Sequence, residues 1–207
     1  FTKSEMAANR VMKSISSWLE RKLFLKVNAT KTKVVRPTRS KYLGFTFLKN
    51  GGEWKVKPTT EKKKKLQKKM REYLKRNKAA ARPLAVTIKR VNEMVRGWIN
   101  YFRIGLMKQF MEEFGEWLRH KVRMIVMKQW KKPKTIYRNL SYLNWKNHNG
   151  FSHEDIYKVA NTRLGWYKRS GMNVVNFIIS KELLENRIKD GTGLLNPLSY
   201  YLVKVGI

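Results

Sequence analysis

Residues 41–57 read KYLGFTFLKNGGEWKVK. Tyr42–Leu48 has the aromatic and apolar content of a strand, Asn50-Gly51-Gly52 is a strong hairpin signal, and Trp54 and Val56 alternate with charged residues on the return. Pro58 ends the hairpin, Thr59 or Thr60 is placed to cap a helix, and the apolar period then changes from two to three or four. A piece of sheet followed by a run of helices puts the chain in the α+β class.

Upstream of the hairpin, Ser4 or Thr2 can cap a helix in which Ala7, Val11, Ile15, Trp18 and Leu19 recur at helical spacing. Leu23, Leu25 and Val27 then alternate as in a strand or a tight turn into one. Val34 and Val35 read as a second short strand, ended by Pro37. Residues 1–57 are thus one helix with three or four short strands, a poor core by itself, and are expected not to fold in isolation. No Met stands at the start, so the natural chain is expected to begin earlier.

Downstream, eleven Lys or Arg fall from Thr59 through Arg82 inclusive, read as one helix with Leu66, Met70, Tyr73 and Leu74 as its apolar stripe. After Pro83 a second helix has Leu84, Ile88, Val91, Val95, Trp98, Ile99 and Phe102 on one broad face, with Gly105 at its end. A third runs through Phe110, Phe114, Trp117, Leu118, Val122, Ile125, Val126 and Trp130 and is closed by Lys131-Lys132-Pro133. Short connections imply an antiparallel three-helix bundle over 58–132. From 133 to 207 the periodicity weakens, which predicts a small, mostly helical module anchored in its core by Trp145 and Trp166.

The 207 residues contain 47 Lys+Arg and 14 Asp+Glu, a formal net charge of +33. Such an excess repels itself in the compact state unless a polyanion relieves it, with nucleic acid the first candidate and an anionic membrane surface the second. The absence of cysteine excludes disulfides, thiolate zinc sites and a thiol nucleophile. FTKSEMAANR lacks the apolar core of a signal peptide, and no apolar run reaches the roughly 18 residues of a membrane span.

Catalytic signals are weak. The two aspartates, Asp155 and Asp190, have no partner carboxylate at a spacing that would converge on metal ions. His148 and His153 are five apart, poor for a shared helical metal face. Glu112, Glu113 and Glu116 favour the start of the third helix. Gly51-Gly52 is a turn, and Gly191-Thr192-Gly193 lacks a phosphate-loop fingerprint. The chain by itself is expected not to catalyse and to need no cofactor.

The basic helix is the stronger signal. Lys62, Lys63, Lys64, Lys65, Lys68, Lys69, Arg71, Lys75 and Arg76 face only Glu61 and Glu72, which favours phosphate-backbone binding over a merely solvated face. Membrane binding by the same helix is disfavoured, because it has few deep apolar anchors.

Leu25-x-Val27-Asn28-x-x-Lys31-Thr32, followed by Tyr42-Leu43-Gly44-Phe45-x-Phe47, resembles the closing part of the palm in the reverse transcriptases encoded by group II introns. The helices over 58–132, with Arg96-Gly97-Trp98-x-x-Tyr101-Phe102, look like that family's thumb, or maturase-specific region. Residues 133–207, with Gly165-Trp166-Tyr167 and the Gly193-Leu194-Leu195 run, are similar to the short DNA-binding tail of its bacterial members. The family's Tyr-Ala-Asp-Asp turn is absent and would stand just before Phe1.

The resemblance implies a palm remnant, a clamp on an RNA template with DNA primer, and contacts to group II intron RNA and target DNA. It also implies a bacterial cytoplasmic setting, a missing N-terminal fingers and palm part, and Mg²⁺ in the full-length parent. The site residues it implies are Asn28, Lys31, Thr32 and Gly44 in the palm remnant, the basic helix and Arg96 in the thumb, and Arg163, Lys168 and Arg169 in the tail. Several have a structural alternative. Lys31 can simply close a turn, Asn28 can order it, Gly44 can serve tight strand packing, and Arg96 can meet a neighbouring Glu. Tyr101 and Phe102 read as core rather than base stackers. The second reading of the whole chain is a non-catalytic, maturase-like RNA-binding splicing factor.

Overall fold

The computed structural model describes residues 2–186 and 193–206; Phe1, Asp190, Gly191 and Thr192, which figure in the reading above, lie outside the described residues. The chain divides into two compact units, Phe1–Thr59 and Thr60–Ile207.

In the first unit, α1 (Glu5–Leu23) starts where the sequence places it: the Ser4 hydroxyl accepts from the Ala7 N–H at 3.2 Å. It ends at Phe24, whose φ of 52° is left-handed. None of its nineteen residues is buried, and Val11, Ile15 and Trp18 stand about half exposed along one stripe. Leu25–Val27 and Val34–Val35 are not strands; a single turn of 3-10 helix at Pro37–Arg39 follows instead. Two short apolar pairs have too little alternation to hold a ladder without a paired neighbour.

The sheet has the order β1 (Lys41–Tyr42), β2 (Phe45–Asn50), β3 (Glu53–Pro58), all antiparallel. The expected strand at Tyr42–Leu48 is therefore two strands, folded at Leu43-Gly44. Both turn residues have positive φ, 50° and 86°, and Tyr42 pairs with Phe45. The second hairpin repeats the device: Asn50 pairs with Glu53 across Gly51 (59°) and Gly52 (83°). This sheet is thin, with Phe45–Leu48 only half-buried.

The second unit is helical. Its first two helices are α2 (Thr60–Tyr73) and α3 (Arg76–Ala80), so the basic run expected as one helix is broken at Leu74-Lys75. At the break the Tyr73 carbonyl accepts from Arg82 Nη2 at 2.8 Å, and the guanidinium lies 4.1 Å from the Tyr73 ring centre. Next come α4 (Leu84–Phe102) and α5 (Lys108–Trp130), close to their expected bounds. On α4 the buried residues Ile88, Val91, Val95, Ile99 and Phe102 form one stripe.

The helix α5 differs, because Phe110, Met111, Leu118, Arg123, Met124 and Met127 are buried and point to all sides of its axis. It is the central helix of the unit. Fully burying one such side chain, Leu118 for example, contributes about 1.5–3 kcal/mol.

Six further helices follow among the described residues: α6 (Pro133–Lys146), α7 (His153–Asn161), α8 (Trp166–Ser170), α9 (Asn173–Ile178), α10 (Lys181–Asn186) and α11 (Pro197–Val205). Close backbone neighbours of α5 are α3, α6, α8 and α11, and α11 also lies against α4. No seam of packing falls at 132/133, where the sequence suggests one. Asn92 shows why: on α4, and 3% exposed, it donates from Nδ2 to the Gly193 carbonyl at 2.8 Å and accepts at Oδ1 from the Leu195 N–H at 2.9 Å. Tyr201 on α11 donates to the Gly105 carbonyl at 3.0 Å. Trp145, an expected core anchor, is 71% exposed beside Tyr142 on α6, and Trp166 is half-buried under two cations.

Candidate nucleic-acid interface

The unbalanced charge is the first property of the surface. If each of the 14 carboxylates neutralised one cation, 47 − 14 = 33 would remain. Ion pairs among the described residues include Arg90–Glu93 at 2.8 Å and Lys158–Glu154 at 2.7 Å, both at the surface. Glu154 raises the Lys158 pKa, through a hydrogen bond first and its charge second.

The helix α2 distributes its cations by helical geometry. Leu66 and Met70 are buried with Leu74 just beyond, so Lys62, Lys65 and Lys69 form a row along one flank while Lys64, Lys68 and Arg71 form another on the outward side. All six are exposed. Lys63 is half-buried, with its ammonium 5.0 Å from the Phe110 ring centre, and is committed to packing on α5. Lys75 and Arg76 are exposed beyond the break, on a separate short helix.

The first row edges a groove of about 530 Å³ between α2 and α4. Leu66, Met94, Trp98, Tyr101 and Phe102 give it apolar walls, and Lys62, Lys65, Lys69, Arg90 and Glu93 give it a charged rim. Trp98 stacks at a tilt on Phe102, 4.5 Å between centroids, and reaches Phe110 at 5.6 Å. Phe102 is buried as the sequence suggests, but Tyr101 is 55% exposed, which corrects its assignment to the core. Gly97 lies on the same groove, and a Cβ there would meet nothing within 4 Å. Arg96 beside it is exposed on α4.

A second basic and aromatic patch was not legible beforehand. Lys121 of α5 sits 4.7 Å from the Tyr167 ring centre and 5.9 Å from that of Trp117, and Lys128 sits 4.9 Å from Trp166. Burial, and secondly the charge of Arg71 on α2, hold the Lys121 ammonium below its ordinary pKa. His120 stacks on Tyr167 at 4.0 Å, and its Nε2–H donates to the Tyr167 carbonyl at 2.8 Å. The available signal was the Trp117–Lys121 spacing of one helical turn.

The tail residues separate. Arg163 and Lys168 are exposed, but Arg169 is 8% exposed, donates from Nη2 to the Thr162 carbonyl and lies over Trp166 at 4.9 Å. Burial lowers its pKa, and its guanidinium holds the loop to α8 rather than facing solvent, which corrects its assignment as a DNA contact. Arg123, missed entirely, is buried and donates to the carbonyls of Ile179 (2.7 Å) and Asn176 (3.4 Å). Burial chiefly, with the neighbouring Arg119 charge, lowers its pKa to about 10 against an opposing effect of Glu182.

In the first unit Asn28 is a turn residue. Its Oδ1 accepts from the N–H groups of Thr30 and Lys31, each at 3.1 Å, and its carbonyl accepts from the Thr32 N–H at 3.0 Å. The turn closes through the backbones of Lys31 and Thr32 and leaves both residues exposed. Gly44 is explained by its hairpin turn, not by tight strand packing. Of the residues considered for metal binding, Asp155 forms a capping box with Ser152, and His153 Nδ1 pairs with the Tyr137 hydroxyl at 3.0 Å. Among the described residues no helix is long and apolar enough to cross a membrane.

Compared with known families, residues 63–145 match the group II intron, maturase-specific domain. No curated protein matches the chain. The match runs from the second residue of the basic cluster to the exposed Trp145, and so takes in both walls of the groove and all of α5.

Proposed function

We propose that this chain, which has a group II intron maturase-specific domain at residues 63–145, binds intron RNA through the phosphate backbone and assists its splicing. The observation that carries this reading is the double row on α2, six exposed cations at helical spacing beside a groove with apolar walls. Such a surface supplies affinity and orientation, while base identity is read elsewhere.

The finer reading follows the resemblance of the flanking segments. The first unit is the end of a reverse-transcriptase palm, the maturase-specific region clamps a template–primer duplex, and the tail meets target DNA through Arg163 and Lys168. Full-length parent protein would bring fingers, catalytic carboxylates and Mg²⁺, and intron mobility with them. The exposed apolar stripe of α1 supports a missing palm partner, because half-exposed Val11, Ile15 and Trp18 are what a removed neighbour would leave.

The test is fluorescence anisotropy on a folded intron RNA fragment between 50 and roughly 300 mM salt. Replacing Lys62, Lys65 and Lys69 with Ala should lower affinity for all RNAs alike and reduce the slope of log K against log salt by about three, roughly one per lost phosphate contact. An unchanged slope in that triple variant refutes the assignment of the groove row to phosphate binding.

A further inference from the structure

We infer that the groove between α2 and α4 receives one unpaired RNA nucleotide, its base laid against Tyr101 and its own and the adjoining backbone phosphates facing Lys62, Lys65 and Lys69. The inference rests on the RNA-binding reading above and adds the structural class of RNA that is selected. At about 530 Å³ the groove falls within the 300–1,000 Å³ typical of ligand sites.

Its chemistry is divided as a nucleotide's is. The walls are apolar, from Leu66, Met94 and Trp98, and the near rim is cationic. The acidic group on the rim, Glu93, is held by Arg90 at 2.8 Å, so the field along the α2 edge stays positive. A base has an apolar face joined to an anionic phosphate and matches both halves at once. Tyr101 offers an exposed ring whose angle is fixed edge-on against Phe102, at 4.7 Å and 74°. Splayed RNA bases stack on aromatics positioned in this way.

Gly97 is the independent observation. It stands in the interior of α4, where glycine is the least favourable residue after proline. A Cβ would meet nothing within 4 Å, so no packing inside the protein calls for glycine there. The space left open is on the groove, where an incoming base would lie. A continuous duplex keeps its bases stacked and presents none to the groove, so the site should favour a bulge or loop.

The experiment compares two RNA hairpins of equal stem length, one fully paired and one with a single bulged 2-aminopurine. The expected result is affinity about tenfold higher for the bulged hairpin, with 2-aminopurine fluorescence changing as the base stacks. Tyr101→Ala and Gly97→Leu should each bring the bulged-to-paired ratio close to one, while Tyr101→Phe keeps it. Gly97→Ala should raise the melting temperature by about 2–4 °C, showing that glycine is not there for stability. Equal affinity for both hairpins, or a ratio unmoved by Tyr101→Ala, overturns the inference while leaving salt-dependent binding intact. Failure of both hairpins to bind with salt sensitivity overturns the RNA reading itself.

Discussion

Asn92 is the most informative residue to change. Its amide forms a two-bond clamp, at 2.8 and 2.9 Å, on the backbone of Gly193 and Leu195, a hundred residues away in the chain. Replacing it with Ala deletes two hydrogen bonds worth about 1 kcal/mol each net, and leaves a carbonyl and an N–H to find water at about 1–3 kcal/mol each where they cannot. Gly193 and Leu195 are half-buried rather than sealed, so water recovers part of that cost. The expected loss is about 2–3 kcal/mol, a fall in melting temperature of about 4–12 °C for a unit of this size. Asn92→Asp should be at least as damaging at pH 7, because it keeps the acceptor for Leu195 but sets a buried negative oxygen against the Gly193 carbonyl. Urea denaturation followed by circular dichroism, with hydrogen exchange read at the Leu195 amide, gives both the global and the local effect. A loss below 0.5 kcal/mol for Asn92→Ala, or an Asp variant as stable as the parent, refutes the clamp.

Two further outcomes follow from tight packing and from charge. At Gly115 of α5 a Cβ would come within 3.3 Å of Pro197 Cδ, so Gly115→Val should cost about 1–3 kcal/mol in urea denaturation, whereas Gly115→Ala, with its helix-propensity gain, should stay near neutral. Lys121 has its folded pKa lowered, by burial and then by Arg71, so between that value and its ordinary 10.5 the unfolded chain binds more protons and the contribution of this group to stability rises with pH. Arg71→Gln should raise the Lys121 pKa part of the way back, measured by NMR titration of labelled lysine, and an unmoved titration would refute the proximity of the two charges.

Local features of this chain are readable from local sequence. Ser4 as a cap, Gly51-Gly52 as a hairpin, and the stripes of α2 and α4 depend on neighbours within a turn or two, and the structure has them where expected. Features that depend on distant partners are not readable. Leu25–Val27 has a strand-like pattern but no strand beside it to pair with, so it remains a loop. The break after Tyr73 has no glycine or proline to announce it and is fixed by Arg82 arriving from the next loop. Arg169 reads like any surface cation until the Thr162 carbonyl and Trp166 are in view. Of the candidate site, the cations of α2 were plain in the composition, but their division into a groove row and an outward row needed the burial of Leu66 and Met70. Tyr101 stood in the recognised segment with its exposure unforeseen.

The segment that matches the maturase-specific domain and the body that folds are different lengths of chain. The match stops at 145, yet α5, the axis of that body, is covered on its flanks by α8 and α11, which lie beyond it. A cut at the recognised boundary would strip those covers and uncover apolar side chains and the amide of Asn92. Residues 146–186 and 193–205 thus belong to the same folded body as the groove between α2 and α4. A chimera that exchanges this body should be joined after Thr59 and carry everything downstream, because no earlier stop leaves α5 enclosed.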